Sequence, residues 1–279
     1  MTGRENPAAT VRLVVSDVDG TLIGKDKALT PAVLAAAKAL HEAGIALCLV
    51  SSRAVEGMTQ YLRGLGLETP SAALNGGLIV APDGTILSSL VLPPDATSAA
   101  FDVLHVHGVD TWLFRGHEWL VLDRAAPYVI HEEHSVRVAA KEVPDFRPYF
   151  EGVGKITGAS ADYPLIVRLE SELGALLQGV ASVHRSSDYY LDITQKDANK
   201  GYAAKALAAR LGVDLSEVAC IGDMSNDVPM LREAGLAIAM GQSKEDVRQH
   251  AHFVTAPNDD DGWAKAMRDF VLPRAPGRE

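Results

Sequence analysis

Two aspartates one residue apart, Asp17 and Asp19, close a short apolar run, Leu13-Val14-Val15-Ser16, and lead into Gly20-Thr21-Leu22. A valine-rich run of this length reads as a strand buried on both faces. Alternation along it puts Asp17 and Asp19 on the same side. Two carboxylates held that close repel each other and need a cation, a shared proton, or both. A Mg²⁺-assisted centre, with one Asp as nucleophile and the other as proton carrier, would satisfy them. A plain polar turn is the alternative, since Asp-Gly is a common turn pair.

A second acidic pair follows another buried run. Val218–Ile221 leads into Gly222-Asp223-Met224-Ser225-Asn226-Asp227. Four residues apart at a loop-to-helix junction, Asp223 and Asp227 can face one point. Taken alone they would be a solvated helix start, where acids complement the dipole. Beside Asp17 and Asp19 they make a cluster that cannot share a site without a hard cation. Oxygen ligands suit Mg²⁺, and no His/Cys cluster competes for zinc. Lys200 heads a helix, where a cation is disfavoured unless a phosphate or the acid cluster offsets it. A solvent-facing lysine is the plain reading. Ser51 sits between a buried strand and a helix start, able to hold an anion or simply to cap the helix.

The elements that must position these residues alternate. Strands are expected at about Val11–Ser16, Ile45–Val50 and Ser71–Leu74. Helices lie between them, the first opened by Thr30-Pro31 and closed by Gly44. The strands end in Asp17/Asp19, Ser51/Ser52 and Asn75, so a parallel sheet would gather those ends on one edge. The pattern changes near residue 78. Hairpin signals at Pro82-Asp83-Gly84 and Arg115-Gly116, alternation over Val136–Val143 and Leu165–Leu169, and helices at about Ala96–His107 and Glu172–Val180 suggest an α+β insertion. The parallel pattern resumes at Asp192-Ile193-Thr194, and Asn199-Lys200-Gly201 opens the next helix. The reading is an α/β chain: a doubly wound, Rossmann-like core over 1–82 and 191–279, with an α+β domain over 83–190. Residues 1–10 read as a loose leader without a secretory signal, and the tail from Pro273 as loose.

Composition narrows the classes. The chain has 279 residues, 47% hydrophobic and 22% charged, with a formal net charge of −10. This is ordinary globular material with room for two domains. No Lys/Arg run forms a basic face, which disfavours nucleic acid and anionic membranes while leaving a small phosphorylated metabolite open. Cys48 and Cys220 lie in apolar segments and are expected as buried, reduced thiols. No apolar stretch is long enough to span a bilayer, and a cytoplasmic location is expected.

The pieces Asp17-Val18-Asp19-Gly20-Thr21, Val50-Ser51-Ser52-Arg53, Asn75-Gly76, Asn199-Lys200-Gly201 and Gly222-Asp223-Met224-Ser225-Asn226-Asp227 occur in that order. So arranged, each at a strand end or helix start, they resemble the haloacid dehalogenase-like phosphohydrolases, within them the Cof-type group with a C2B-type cap. Ala237-Ile238-Ala239-Met240-Gly241 and Asp261-Gly262 resemble that group's closing stretch. The resemblance implies a Mg²⁺-dependent phosphatase acting on a small phosphomonoester such as a sugar phosphate. Asp17 would attack phosphorus and form an aspartyl-phosphate. Asp19 would protonate the leaving oxygen and then activate water. Asp17, Asp223 and the Asp19 backbone carbonyl would hold Mg²⁺. Asn226 and Asp227 would support that shell. Ser51, the backbone at Ser52, and Lys200 would bind the phosphoryl oxygens, with Asn75 on the substrate side and Arg53 in support. The family usually has Thr-Gly before the Arg; Ser51-Ser52 keeps the hydroxyl but loses glycine's freedom. The cap would choose the substrate.

Two rivals differ in chemistry. A phosphomutase of the same superfamily would return the phosphoryl group to sugar. A non-catalytic phosphometabolite sensor would have no need of both Asp17 and Asp19. Other groups are weaker signals. His131-Glu132-Glu133-His134 lacks the zinc-helix spacing and reads as exposed surface. Asn258-Asp259-Asp260-Asp261-Gly262 lacks the calcium-loop spacing and reads as a loop with a helix cap. Trp112, Phe114 and Trp119 read as core. Arg115, Arg168, Arg185 and Tyr189 could reach a second anionic or sugar group.

Overall fold

The computed structural model describes residues 6–136 and 138–277. The chain divides into two compact units, one over residues 1–52, 58–85 and 199–279, the other over 53–57 and 86–198. Residues 1–5 of the leader and 278–279 of the tail lie outside the described residues.

The first unit is built on a sheet in the order Phe253–Val254, Leu236–Ala239, Val218–Gly222, Leu13–Asp17, Ala46–Val50, Ser71–Ala73, Leu78–Val80. Pairing is parallel from Phe253–Val254 through Ser71–Ala73 and antiparallel between Ser71–Ala73 and Leu78–Val80. Leu13–Asp17 lies between the strand that follows it and one about 200 residues later. The winding reverses there, which in open α/β sheets is the place where ligands bind. The central strands are mostly apolar and fully buried because both faces are covered. Leu13, Val15, Cys48, Val50 and Cys220 pack under Ala203, Ala204, Leu207 and Ala208 of the helix Lys200–Leu211. Both cysteines are free and buried, and burial pushes the Cys48 thiol up to about 12.

The helix ends follow local chemistry. Thr30 caps Pro31–Glu42 by accepting from the Val33 N–H at 3.2 Å. Asn199 caps Lys200–Leu211 by accepting from the Tyr202 N–H at 3.0 Å. The end of the first strand is tied to the closing helix. Trp263, fully buried, donates its indole N–H to Ser16 Oγ at 2.9 Å, and Ser16 Oγ donates to the Asp17 carbonyl at 2.7 Å.

The second unit carries a six-stranded sheet in the order Ala181–Arg185, Tyr190–Gln195, Lys155–Ala159, Asp110–Arg115, Glu118–Val121, Lys141–Glu142. One face carries Leu113, Leu120, Ile156, Leu191 and Ile193, packed with residues of Pro94–Val106 and Tyr163–Leu176. On the other strand positions Trp112, Phe114 and Trp119 are buried as expected, with ring centroids 5.4 Å apart for the two tryptophans. Among the described residues no helix is long and apolar enough to cross a membrane.

Five expectations are corrected. Asp192-Ile193-Thr194 does not resume the parallel pattern: it lies in Tyr190–Gln195, which pairs antiparallel with both of its neighbours in the second unit's sheet. Leu165–Leu169 is not a strand but part of the helix Tyr163–Leu176, which starts earlier than the one expected at Glu172. Asp162 caps it, accepting from the Leu165 N–H at 3.0 Å, and Ile166, Leu169 and Leu173 bury at helical spacing. Val136–Val143 is not one strand: Pro127–Val136 is helical and only Lys141–Glu142 pairs, while Arg137 lies outside the described residues. The described part of the leader and of the tail is held rather than loose at Ala8 and Arg274. The Ala8 N–H donates to the Gly235 carbonyl at 2.8 Å, the Val11 N–H to the Arg274 carbonyl at 2.8 Å, and Arg274 Nε to the Ala8 carbonyl at 3.0 Å. Finally, Asp261 makes no side-chain cap to the helix after it; it accepts from Thr30 Oγ1 at 3.0 Å instead.

The Trp263–Ser16 hydrogen bond yields a stability test. Trp263→Phe keeps most of the volume but leaves a buried hydroxyl short of a donor. It should cost about 1–3 kcal/mol in urea unfolding, with Ser16→Ala in the same background adding little.

Candidate active site

The first strand ends at Asp17, and the second carboxylate leaves the strand direction. The Val18 carbonyl accepts from the N–H groups of Thr21, Leu22 and Ile23, at 3.4, 3.0 and 3.0 Å. Asp19 therefore sits on a turn, and simple alternation does not place it. The side chains gathered here are Asp17, Asp223 and Asp227, whose ligand oxygens lie within 4.8 Å of one another. Asp19 is not in that group; its Oδ1 lies 2.6 Å from Lys27 Nζ. The expectation that four carboxylates meet is thus corrected to three.

Lys200 is the counter-ion of the group. Its Nζ lies 2.5 Å from Asp17 Oδ1 and 2.6 Å from Asp227 Oδ1, and all three side chains are almost fully buried. A cation at a helix start opposes the dipole, and two carboxylates offset it. Burial pulls the Lys200 ammonium down, but Asp17 and Asp227 outweigh it and hold it above the ordinary lysine range.

Asp227 has both oxygens engaged by protein donors. Oδ1 takes Lys200, and Oδ2 accepts from the backbone N–H groups of Asp223 and Met224 at 2.8 and 2.9 Å. It thereby fixes the loop that carries Asp223. That closeness needs glycine at 222, where a Cβ would come within 2.4 Å of the Asp227 carboxyl carbon. Asp223 Oδ1 accepts from Thr21 Oγ1 at 3.1 Å, and its Oδ2 from Gln242 Nε2 at 3.4 Å. Gln242 Nε2 also donates to the Gly20 carbonyl at 2.5 Å. Gly20 has φ +78°, and a Cβ there would lie 2.5 Å from Asp223 Oδ2. Glycine is required on both counts.

With every group ionised, three carboxylates and one ammonium leave an excess of negative charge in a buried place. Burial, with the charges of Asp227 and Asp223 added and Lys200 opposing, raises the Asp17 carboxyl well above the usual range. Burial and Asp227 raise Asp223 to about 6, against hydrogen bonds from Thr21 and Gln242. Such a cluster fits a divalent cation, and its all-oxygen donor set is that of a hard one.

The remaining predicted residues divide. Ser51 is buried at the end of Ala46–Val50; its N–H donates to the Ala72 carbonyl at 3.0 Å and its carbonyl accepts from the Asn75 N–H at 2.8 Å. Asn75, with φ 55°, accepts at Oδ1 from Asn226 Nδ2 at 3.3 Å. Ser52 follows Ser51 and is half-buried. Arg53 belongs to the second unit, where it is buried and its Nη1 donates to the Gly57 carbonyl at 3.3 Å.

Of the second unit's candidates, Arg115 and Arg185 are ion-paired with Glu118 and Glu170, and Arg168 is exposed. Tyr189 stacks with Tyr128 at 5.2 Å. His131 and His134 are exposed, but Glu132 and Glu133 are half-buried, and burial raises the Glu132 carboxyl.

Sequence reasoning missed Lys27, Thr21 and Gln242. Thr21 stood inside a motif without a role. Lys27 and Gln242 lie in irregular segments, where no periodicity marks a side chain's direction.

A family model described as haloacid dehalogenase-like hydrolase matches residues 14–267. The HMP-PP phosphatase of Cronobacter sakazakii is 29% identical, over 83% of this chain and 85% of its own length. Pyridoxal phosphate phosphatase YbhA of Escherichia coli is 26% identical, over 94% of this chain and 100% of its own. A solved haloacid dehalogenase-like hydrolase from Bacteroides thetaiotaomicron is similar at a TM-score of 0.85 and 28% identity, covering 92% of this chain and 98% of that one.

Removing the Lys200 ammonium leaves buried carboxylates without their partner. Lys200→Met should destabilise the metal-free protein by about 3 kcal/mol in denaturant unfolding. Stability equal to that of the parent protein would show that the ammonium does not balance the cluster.

Proposed function

Because the chain belongs to the haloacid dehalogenase-like hydrolases, in their Cof-type group, and is a phosphoric monoester hydrolase, we propose that it cleaves a small phosphorylated metabolite through an aspartyl-phosphate on Asp17, with Mg²⁺ as cofactor. The observation that carries this reading is the buried cluster of Asp17, Asp223 and Asp227 with Lys200 bridging two of them. It stands at the switch point of a parallel sheet, where ligands of such sheets bind. The relative named for pyridoxal phosphate supports a small phosphomonoester as the substrate class.

In this reading an Asp17 carboxylate oxygen attacks phosphorus. A new O–P bond forms while the bond to the leaving oxygen breaks, and its electron pair goes to that oxygen. Asp19 gives the leaving oxygen a proton and becomes a carboxylate. It then takes a proton from water as the water oxygen attacks the aspartyl-phosphate. The Asp17–phosphorus bond breaks, its electrons return to the Asp17 carboxylate, and inorganic phosphate is released.

Phosphoryl transfer spreads charge over the equatorial oxygens, so positioned cations and donors do most of the work. Lys200, the Ser51 hydroxyl and the backbone at Ser52 are assigned to those oxygens. Asn75 lines the substrate side, and Asn226, Asp227 and Arg53 are supports. Held by Asp17, Asp223 and the Asp19 carbonyl, Mg²⁺ would offset the excess charge and act as a Lewis acid on the phosphoryl group. Residues 83–190 are assigned as the cap that selects the substrate.

A panel of phosphomonoesters assayed with Mg²⁺ tests this reading. Inorganic phosphate should be released into water, with no phosphoryl group returned to sugar, and Asp17→Asn should lower kcat at least about a thousandfold. Ordinary turnover by Asp17→Asn would sink the mechanism. Gln242→Ala, which frees Asp223 and the Gly20 carbonyl from one donor, should weaken Mg²⁺ binding about tenfold by calorimetry while the fold survives.

A further inference from the structure

Lys27 stands in a conformation that lysine seldom adopts. Its φ is +57°, in the left-handed region that favours glycine or asparagine. Both of its backbone groups are tied. Its N–H donates to the Gly24 carbonyl at 3.1 Å, and its carbonyl accepts from the hydroxyl of the buried Tyr61 at 3.2 Å. Held there, its ammonium reaches Asp19 Oδ1 at 2.6 Å, with both side chains about one-third exposed, at 36% and 33%. A residue type that suits the backbone better would lose this reach, so the side chain offsets the strain of the turn.

The placement matters because of what lies two residues back. Asp17 belongs to a buried group of three carboxylates with an excess of negative charge. A cation bound there would draw any nearby carboxylate toward it. Asp19 is the nearest acid in sequence, and Lys27 gives it a partner elsewhere. We propose that Lys27 is a positioning residue: it keeps the Asp19 carboxyl group out of the acid cluster and directed to the leaving-group oxygen. The inference rests on the role given to Asp19 above.

Proton donation matters most when the leaving group is poor. kcat/KM covers the steps up to leaving-group departure, so phenyl phosphate and p-nitrophenyl phosphate can be compared on it directly. In Lys27→Met, kcat/KM should fall roughly tenfold for phenyl phosphate and less than about threefold for p-nitrophenyl phosphate. Lys27→Arg should restore most of the loss, and each variant should keep the parent's circular dichroism spectrum. Lys27→Gly, which suits the backbone and lacks the ammonium, should behave like Lys27→Met and guards against a folding artefact. Equal losses for the two esters, or none, would overturn the inference even if Asp17→Asn is inactive. If Asp17→Asn turns over both esters normally, the phosphatase mechanism itself fails, and the inference with it.

Discussion

The first unit depends on one buried ammonium. Lys200 reaches Asp17 and Asp227, which stand on segments far apart in the chain. Removing three charged groups from water is costly, and only close, well-made contacts repay it. The contacts are close because each group sits on a rigid element. Asp17 ends a fully buried strand. Lys200 opens a helix whose Ala203, Ala204, Leu207 and Ala208 pack on the sheet. Asp227 is locked by two backbone N–H groups. Moving any one element would leave a charge buried without its partner. The ion pairs therefore specify how the Lys200 helix sits on the sheet, and the apolar packing holds it there.

The same cluster is deliberately unbalanced in charge. One lysine faces three carboxylates, and Asp17 and Asp223 both hold their protons more tightly than free aspartate. A site meant only for stability would gain from a second cation or fewer acids. The imbalance suits a centre that takes up positive charge from outside and then attracts a phosphoryl dianion. Asp227, with both oxygens taken by protein donors, shapes the cluster, whereas Asp17 and Asp223 carry the raised pKa values that an added cation would lower.

Much of this arrangement was legible because it follows from regular elements. Apolar runs ending in Asp17, Ser51 and Asp223 read as buried parallel strands, and parallel strands bring their carboxyl ends to one edge. Asn199 and Thr30 showed the helix starts because their side chains cap locally. Failures came where the local signal was ambiguous. Leu165-Ile166-Val167 is β-branched enough to suggest a strand, yet Asp162 and Pro164 start a helix whose buried face takes Ile166, Leu169 and Leu173. Ala8 looked loose because the contacts that hold it, to Gly235 and Arg274, are distant in sequence. Lys27 and Gln242 could not be found at all: each reaches its partner from an irregular loop, and their directions are set by the turn rather than by a period.

The one-residue spacing of Asp17 and Asp19 then takes on a different meaning. Were the strand to continue, alternation would set the two carboxylates side by side, and both would compete for one cation. The strand stops at Asp17 instead, and the turn over Val18–Ile23 carries Asp19 off toward Lys27. Gly20 makes that turn possible, because any side chain there would strike Asp223. Two acids of the same type thus enter two environments. One is paired with Lys200 and its carboxyl is raised chiefly by burial; the other is partly exposed and paired with Lys27. Enzymes that need two carboxyl groups in different roles separate them by environment, and here the separation is achieved within three residues by ending a strand.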